Sequence, residues 1–215
     1  MPTLSGGYHT SDGMRVPSVT TIIGKFKPAG GLIHWAWDLG SRGIDYRTVR
    51  DNAASCGTYA HAMVEAWIKG QDPDTVDGPD ELIMKARNAF QLFLKWAGQT
   101  KLRVTETEVP LVSEKYRFGG TLDAMLVDGE LSLGDWKTSN SIHSDYLFQL
   151  AAYAILWEEN RPDRPITGGF HLLRFAKDTP DFSHYFWGEL DEAKRGFLLM
   201  RELYDIRADL DRRVG

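Results

Sequence analysis

The spacing of apolar residues changes from a helical to a strand period near the middle of the chain and then alternates. Tyr59, Met63, Val64, Trp67 and Ile68 form a stripe that predicts a helix over Gly57–Lys69. Leu82, Ile83, Ala86, Phe90, Phe93, Leu94 and Ala97 predict a second helix from Asp80 to about Gly98, after a loop that carries two prolines. From Leu102 the period becomes two. Leu102, Val104, Val109 and Leu111 mark one extended stretch, and Phe118–Val127 and Glu130–Lys137 mark two more. Asp128-Gly129 between the last two is a hairpin signal. A helix over Ser144–Asn160 follows, then strands over Gly168–Phe175 and Phe182–Trp187. A closing amphipathic helix runs from Asp191 to about Arg212, with Phe197, Leu198, Leu203, Ile206 and Leu210 on its inner side.

The first 54 residues are less regular. Residues 1–31 are rich in Gly, Ser, Thr and Pro, with a strand-like run at Val19-Thr20-Thr21-Ile22-Ile23. Residues 32–54 read as short helices that carry Trp35 and Trp37. The order of elements predicts an α/β fold, a mixed sheet with helices on its faces. A chain of 215 residues suits one domain. Residues 1–54 are read as an N-terminal elaboration of the domain whose core is 55–215.

Composition narrows the function classes. Hydrophobic residues make up 42% and charged residues 26%, which is ordinary for a globular protein. No apolar run approaches the roughly 20 residues of a membrane helix. The opening MPTLSGGYHTSDG has no basic segment followed by an apolar one, so no signal peptide is expected and a cytoplasmic location fits. The single cysteine, Cys56, excludes a disulfide framework or a four-cysteine site within one chain. A net charge of −5 argues against passive coating of nucleic acid. It does not argue against carboxylates gathered around divalent cations, which supply positive charge locally.

The hairpin carries the candidate chemistry. Asp135 and Lys137 are two apart on one strand and share a face. On an exposed face they would be a plain ion pair; in a buried strand they need an explanation. Asp123 lies on the partner strand, and its face depends on register. A two-residue turn pairs Val127 with Glu130 and sends Asp123 to the other face. A turn with one more residue, using Gly129 at positive φ, pairs Val127 with Leu131, Met125 with Leu133 and Asp123 with Asp135. The second register sorts apolar from polar along one face and brings two carboxylates to about 5 Å at Cβ. Like charges that close need a counterion. Hard oxygen ligands favour Mg²⁺, Mn²⁺ or Ca²⁺. The register with the extra turn residue is therefore predicted. His61 and Glu65 share a helix face one turn apart, and Gln149 and Tyr153 do the same inside the apolar YLFQLAAYAILW.

In order along the chain stand Gly57, His61 and Glu65, then GGTLDAML, then LGDWKTS, then Gln149 and Tyr153. This set resembles the RecB-like branch of the PD-(D/E)xK nucleases. PSVTTII and LIHWAWDLG are similar to the leader of phage-encoded and mitochondrial single-strand exonucleases of that branch. The resemblance covers roughly residues 15–175. It implies a restriction-endonuclease-like fold and roles position by position. Asp123 and Asp135 are the metal-ligand carboxylates, Asp135 standing for the Glu of the general motif. The carbonyl of Trp136 is a further ligand, and His61 completes the metal shell. Lys137 orients or activates water and stabilises phosphoryl charge. Glu65 and Glu108 are supporting acids, with an ordinary strand residue the favoured reading of Glu108. Gln149 and Tyr153 contact the substrate strand. Several relatives carry an iron–sulfur cluster held by four cysteines, which one cysteine cannot supply.

The expected activity is Mg²⁺- or Mn²⁺-dependent hydrolysis of DNA, as an exonuclease on ends in replication, recombination or repair, from a phage-encoded protein. Expected partners are DNA with a single-stranded end and a recombinase, helicase or single-strand-binding protein. The alternatives are a non-catalytic nucleic-acid-binding module and an interaction subunit that keep the fold. Core packing is the favoured reading of Trp35 and Trp37, with base stacking the other. Arg174 and Lys177 are equally read as phosphate contacts or surface charge.

Overall fold

The computed structural model describes residues 6–28, 30–139 and 141–215. Two short strands, β1 (Tyr8–His9) and β2 (Arg15–Val16), precede α1 (Val19–Lys25), α2 (Gly30–Ser41), α3 (Tyr46–Ile68) and α4 (Asp80–Gln99). Then come β3 (Arg103–Ser113), β4 (Phe118–Asp128), β5 (Glu130–Lys137), α5 (Asp145–Asn160), β6 (Phe170–Phe175), β7 (Phe182–Trp187) and α6 (Asp191–Val214). The last five strands form one sheet in the order β3-β4-β5-β6-β7. Only β5 and β6 run parallel, joined by the α5 crossover; the other neighbours are antiparallel. The expected mixed α/β architecture is present.

Each sheet face has its own core. On one, Val19, Ile22 and Ile23 of α1, the buried run Leu150–Trp157 of α5 and Phe197 of α6 pack on Phe118, Leu122, Met125, Leu133 and Leu172. On the other, α3 and α4 contribute Ala60, Met63, Val64, Phe90, Phe93 and Trp96, against Ala124, Leu126, Trp136, Leu173 and Phe175. A buried Leu, Ile or Phe side chain contributes about 1.5–3 kcal/mol, so two such layers hold the sheet from both sides. The Trp136 ring is wedged among aromatics, with ring centres 5.6 Å from Phe93, 5.7 Å from Trp96 and 6.4 Å from Phe175.

Several expectations need correction. Val19–Ile23 is the start of a helix, not a strand. Ser18 caps it by accepting a hydrogen bond from the Thr21 N–H at 3.1 Å, and Val19, Ile22 and Ile23 fall on one buried face. α3 begins eleven residues before Gly57, at Tyr46, with Asp45 as its cap. The inner side assigned to the last helix holds only at Phe197 and Leu198: Leu203, Ile206 and Leu210 are about half exposed. Trp37 is 67% exposed and is not core. Trp35 is half-buried, edge-on to Tyr46.

The β4–β5 register is the one with the extra turn residue. Val127 faces Leu131, Met125 faces Leu133 and Ala124 faces Gly134. Gly129 sits at φ +81°, a conformation that favours glycine. The paired register stops at Ala124 and Gly134, one residue short of Asp123 and Asp135, so the expected pairing of those two aspartates is not part of the ladder.

Candidate active site

Beyond Ala124 and Gly134 the β4–β5 ladder ends. Strand alternation in β4 breaks at the same place. Leu122 and Met125 lie three residues apart yet share one core, while Ala124 belongs to the other. On β3, across from this break, Glu108 has φ +51°, a left-handed backbone that a glutamate rarely adopts. The strained strand turns the Glu108 side chain toward Asp123. The Asp123 carboxylate takes over a backbone role: its Oδ2 accepts the Trp136 N–H at 2.9 Å. Thr107 Oγ1 donates to the Asp123 carbonyl at 2.8 Å.

His61 reaches this opening from α3. Its Nε2 donates to the Trp136 carbonyl oxygen at 3.1 Å, and its Nδ1 lies 3.8 Å from Glu108 Oε1 and 3.9 Å from Asp123 Oδ2. The ligand atoms of His61, Glu108 and Asp123 all fall within 4.8 Å of one another. Asp135 sits beside them but pairs with the Lys137 ammonium, which also lies 5.2 Å from the centre of the Tyr146 ring. On α5, Gln149 Nε2 donates to Tyr153 Oη at 2.8 Å. Glu65 is not brought in; it pairs with Lys69 along the outer side of α3. Arg174 is buried, bonded to Asp181 and to Ser183 Oγ, so it is not a surface charge.

Sequence reasoning missed Tyr146 and Thr107. Each is a near neighbour of a residue it did single out, three before Gln149 and one before Glu108. Neither has a polar periodicity that would mark it. It also missed Tyr8, whose Oη bonds Thr121 Oγ1 at 2.8 Å and so ties β1 to the strand that bears Asp123.

Burial dominates the electrostatics. Asp123 and Asp135 are fully buried. Burial pushes the Asp135 carboxyl up to about 7, against the pull of Lys137 and with a further push from Asp123. Burial pulls Lys137 down, but Asp135 and Asp123 outweigh it and hold the ammonium above its ordinary value. His61 follows the same logic, with burial opposed by Asp123 and Glu108 and a net upward shift. Tyr153 is raised by burial and by both aspartates, so it stays a neutral hydrogen-bond donor.

The donor set also tests whether a divalent cation fits. Asp123 Oδ1, Glu108 Oε2, Asp135 Oδ1 and His61 Nδ1 are buried without a hydrogen-bond partner. A buried polar atom left without a partner costs about 1–3 kcal/mol, and more when charged. Carboxylate oxygens and an imidazole nitrogen are common ligands of divalent cations, and a cation would satisfy all of these groups at once. The residues present fit such an ion.

The sequence profile of the PD-(D/E)XK nuclease superfamily matches residues 8–210. Members of that superfamily use divalent metals, in keeping with this donor set. Among solved structures, a candidate exonuclease from Eubacterium rectale superposes with a TM-score of 0.50 at 13% identity, over 73% of this chain and 65% of its own. This chain thus spans just under two thirds of that protein's length, and at such identity the likeness concerns the fold. A protein designated SSO0001 is 19% identical over 65% of this chain and 68% of its own, with a TM-score of 0.34. No curated protein matches the sequence. The matched span runs from β1 into α6 and takes in both strands of the opened hairpin, and by that match the chain belongs to the PD-(D/E)XK nuclease superfamily.

Proposed function

We propose that this nuclease is a Mg²⁺- or Mn²⁺-dependent exonuclease of the RecB-like branch that hydrolyses DNA from an end. The observation that carries the reading is the convergence of four buried, partnerless polar atoms, on Asp123, Glu108, Asp135 and His61, beside the partly exposed ammonium of Lys137. Asp123, Glu108 and His61 would hold the cation, with Asp135 and the Trp136 carbonyl as neighbouring donors. Ligands must be deprotonated, so His61 gives up its Nδ1 proton when it takes that role. A bound divalent cation lowers the pKa of the attacking water and neutralises charge on the phosphoryl oxygens.

The remaining steps belong to the chain's own groups. Lys137 keeps its proton beside Asp135 and sets a positive charge against the scissile phosphate, which stabilises the charge that develops there. Asp135 aims that ammonium, and the Tyr146 ring covers its other side. Gln149, whose Nε2 donates to Tyr153 Oη, and Tyr153 form the helix pair read as contacting the substrate strand near the scissile phosphate. Packing on both sheet faces excludes bulk water, so each of these interactions is stronger than on a surface. Residues 1–54 are read as part of the same domain as 55–215, placed to restrict access and so favour a single-stranded end.

End-labelled linear single-stranded DNA, linear duplex and closed circular DNA, each incubated with Mg²⁺, Mn²⁺ or EDTA, test the reading. Metal-dependent release of labelled nucleotides from linear DNA is expected. Efficient cutting of the closed circle would rule out dependence on ends, and no cleavage with either metal would rule out the enzyme. No helix among the described residues is long and apolar enough to cross a membrane.

A further inference from the structure

Helix α2 is apolar yet buries only Leu39. Leu32, Ile33 and Trp37 are 57%, 65% and 67% exposed. A surface helix of this composition normally turns its apolar side inward. Beside α2 lies an open cleft of about 630 Å³ whose lining includes Leu32, Trp35, Val49, Arg50, Cys56 and Lys177. That volume suits a ligand of one or two nucleotides. Its walls combine an aromatic ring and aliphatic side chains with cations on the rim.

The cleft and the metal-ligand cluster share helix α3. Val49, Ala53 and Cys56 of α3 line it, and His61 stands five residues further along the same helix. At 1.5 Å per residue that is about 8 Å along the axis. Gly57, next to Cys56, lies so close to the end of β5 that a Cβ there would be 3.1 Å from Thr138 Oγ1. Thr138 directly follows Lys137. The residue that follows the cleft-lining Cys56 thus packs on the end of the strand that carries Asp135 and Lys137.

Two rim cations have acidic neighbours. Arg50 lies 2.8 Å from Asp51, and Lys85 lies 3.0 Å from Glu81 and 3.7 Å from Asp178. Such exposed pairs are screened by solvent and hold weakly, so a phosphate can replace the carboxylate at little cost.

We propose that this cleft is a subsite for an unpaired nucleic-acid strand, with a base stacked on Trp35 and phosphates at Lys177 and Arg50. The proposal rests on the nuclease reading and adds where the strand lies before it reaches the metal site. The class of ligand follows from the wall chemistry. Aromatic faces accept any base, and cations track a phosphate backbone. A duplex hides its base faces and gains nothing from the half-buried Trp35 ring in the cleft wall.

Anisotropy of fluorescein-labelled oligo(dT), in EDTA so that nothing is cleaved, gives the first arm. Trp35→Ala is expected to weaken binding about tenfold, and Trp35→Phe to recover most of the loss. Lys177→Gln is expected to lower the slope of log affinity against log salt by about 0.7. The second arm is metal-dependent hydrolysis of bis(p-nitrophenyl) phosphate, a small diester that needs the metal site but not the cleft. For Trp35→Ala, the loss on oligo(dT) cleavage should exceed the loss on the small diester by about tenfold. An unchanged oligo(dT) affinity in Trp35→Ala overturns the subsite. So do equal losses on both substrates, which mark Trp35 as structural. A wild type that binds oligo(dT) through Trp35 but hydrolyses neither substrate overturns the nuclease reading and leaves the subsite standing.

Discussion

Two groups of buried ionisable side chains lie on neighbouring strands of one sheet, and they are satisfied in opposite ways. On β6 and β7, Arg174 finds Asp181 and Ser183, and His171 Nδ1 meets His184 Nε2 at 2.8 Å. On β4 and β5, Asp123 and Asp135 each keep a buried oxygen without a partner, as do Glu108 and His61 close by. A fully satisfied polar network stiffens a core, whereas a partly satisfied one is costly and calls for a missing partner. The first group is therefore read as structure and the second as a site.

Substitution should split the two groups most widely. Asp135→Asn is expected to lower Mg²⁺-dependent cleavage by on the order of 10²–10³-fold or more, since it removes a charge from the reacting centre. It should not lower the melting temperature of the metal-free protein, because it relieves a buried carboxylate that Asp123 repels. Arg174→Ala should do the reverse, costing about 1–3 kcal/mol in denaturant titrations while the folded fraction still cleaves. Normal cleavage by Asp135→Asn would erase the distinction.

Metal should act on one group only. Mg²⁺ or Mn²⁺ at 100 times its dissociation constant stabilises the fold by about 2.7 kcal/mol, read as a rise in melting temperature. Asp123→Asn should lose that rise and Arg174→Ala should keep it. A rise that survives in Asp123→Asn would place the ion elsewhere.

Acid should act on the other. Burial, with the neighbouring His184, lowers His171 to about 4. Between roughly pH 4 and 6.5 the folded state then binds fewer protons than the unfolded state, whose histidine titrates near 6.5. Stability rises with pH through that window and is lost as pH falls through it. Wild type should lose about 2 kcal/mol more than His171→Phe between pH 7 and pH 4.5. Equal losses would show that the histidine pair contributes no pH dependence.

The smallest effect belongs to Glu65, which belongs to neither group. Glu65→Ala removes an i, i+4 pair with Lys69 and should change stability by no more than about 0.5 kcal/mol, with cleavage unaltered. A large loss of cleavage would bring Glu65 back to the metal.

The opened hairpin was legible because one glycine and one pattern agree. Gly129 permits the extra turn residue, and only that register sorts Met125 and Leu133 from Asp123 and Asp135. The buried helix with Gln149 inside it was legible from its nearly continuous apolar run. Other features depend on partners distant in sequence. The β-branched run Val19–Ile23 looks extended until Ser18 caps it and one face meets α5. The first half of α3 lacks an apolar stripe because much of it borders the cleft rather than the core. Leu203, Ile206 and Leu210 have helical spacing without burial because their part of α6 packs against little. The break in β4 lies across from the left-handed backbone of Glu108 on another strand, a contact that no periodicity within β4 encodes.

Trp136 links these scales. Its amide holds Asp123, its carbonyl holds His61, and its ring is clamped by Phe93, Trp96 and Phe175. The spacing of the would-be ligands is thus calibrated by aromatic rings that touch no ion. Close-packed interiors transmit displacements of a few tenths of an ångström, so a change in ring size one layer away retunes the aperture. The hydrophobic core of α3 and α4 thus sets the spacing of the atoms proposed to hold a cation.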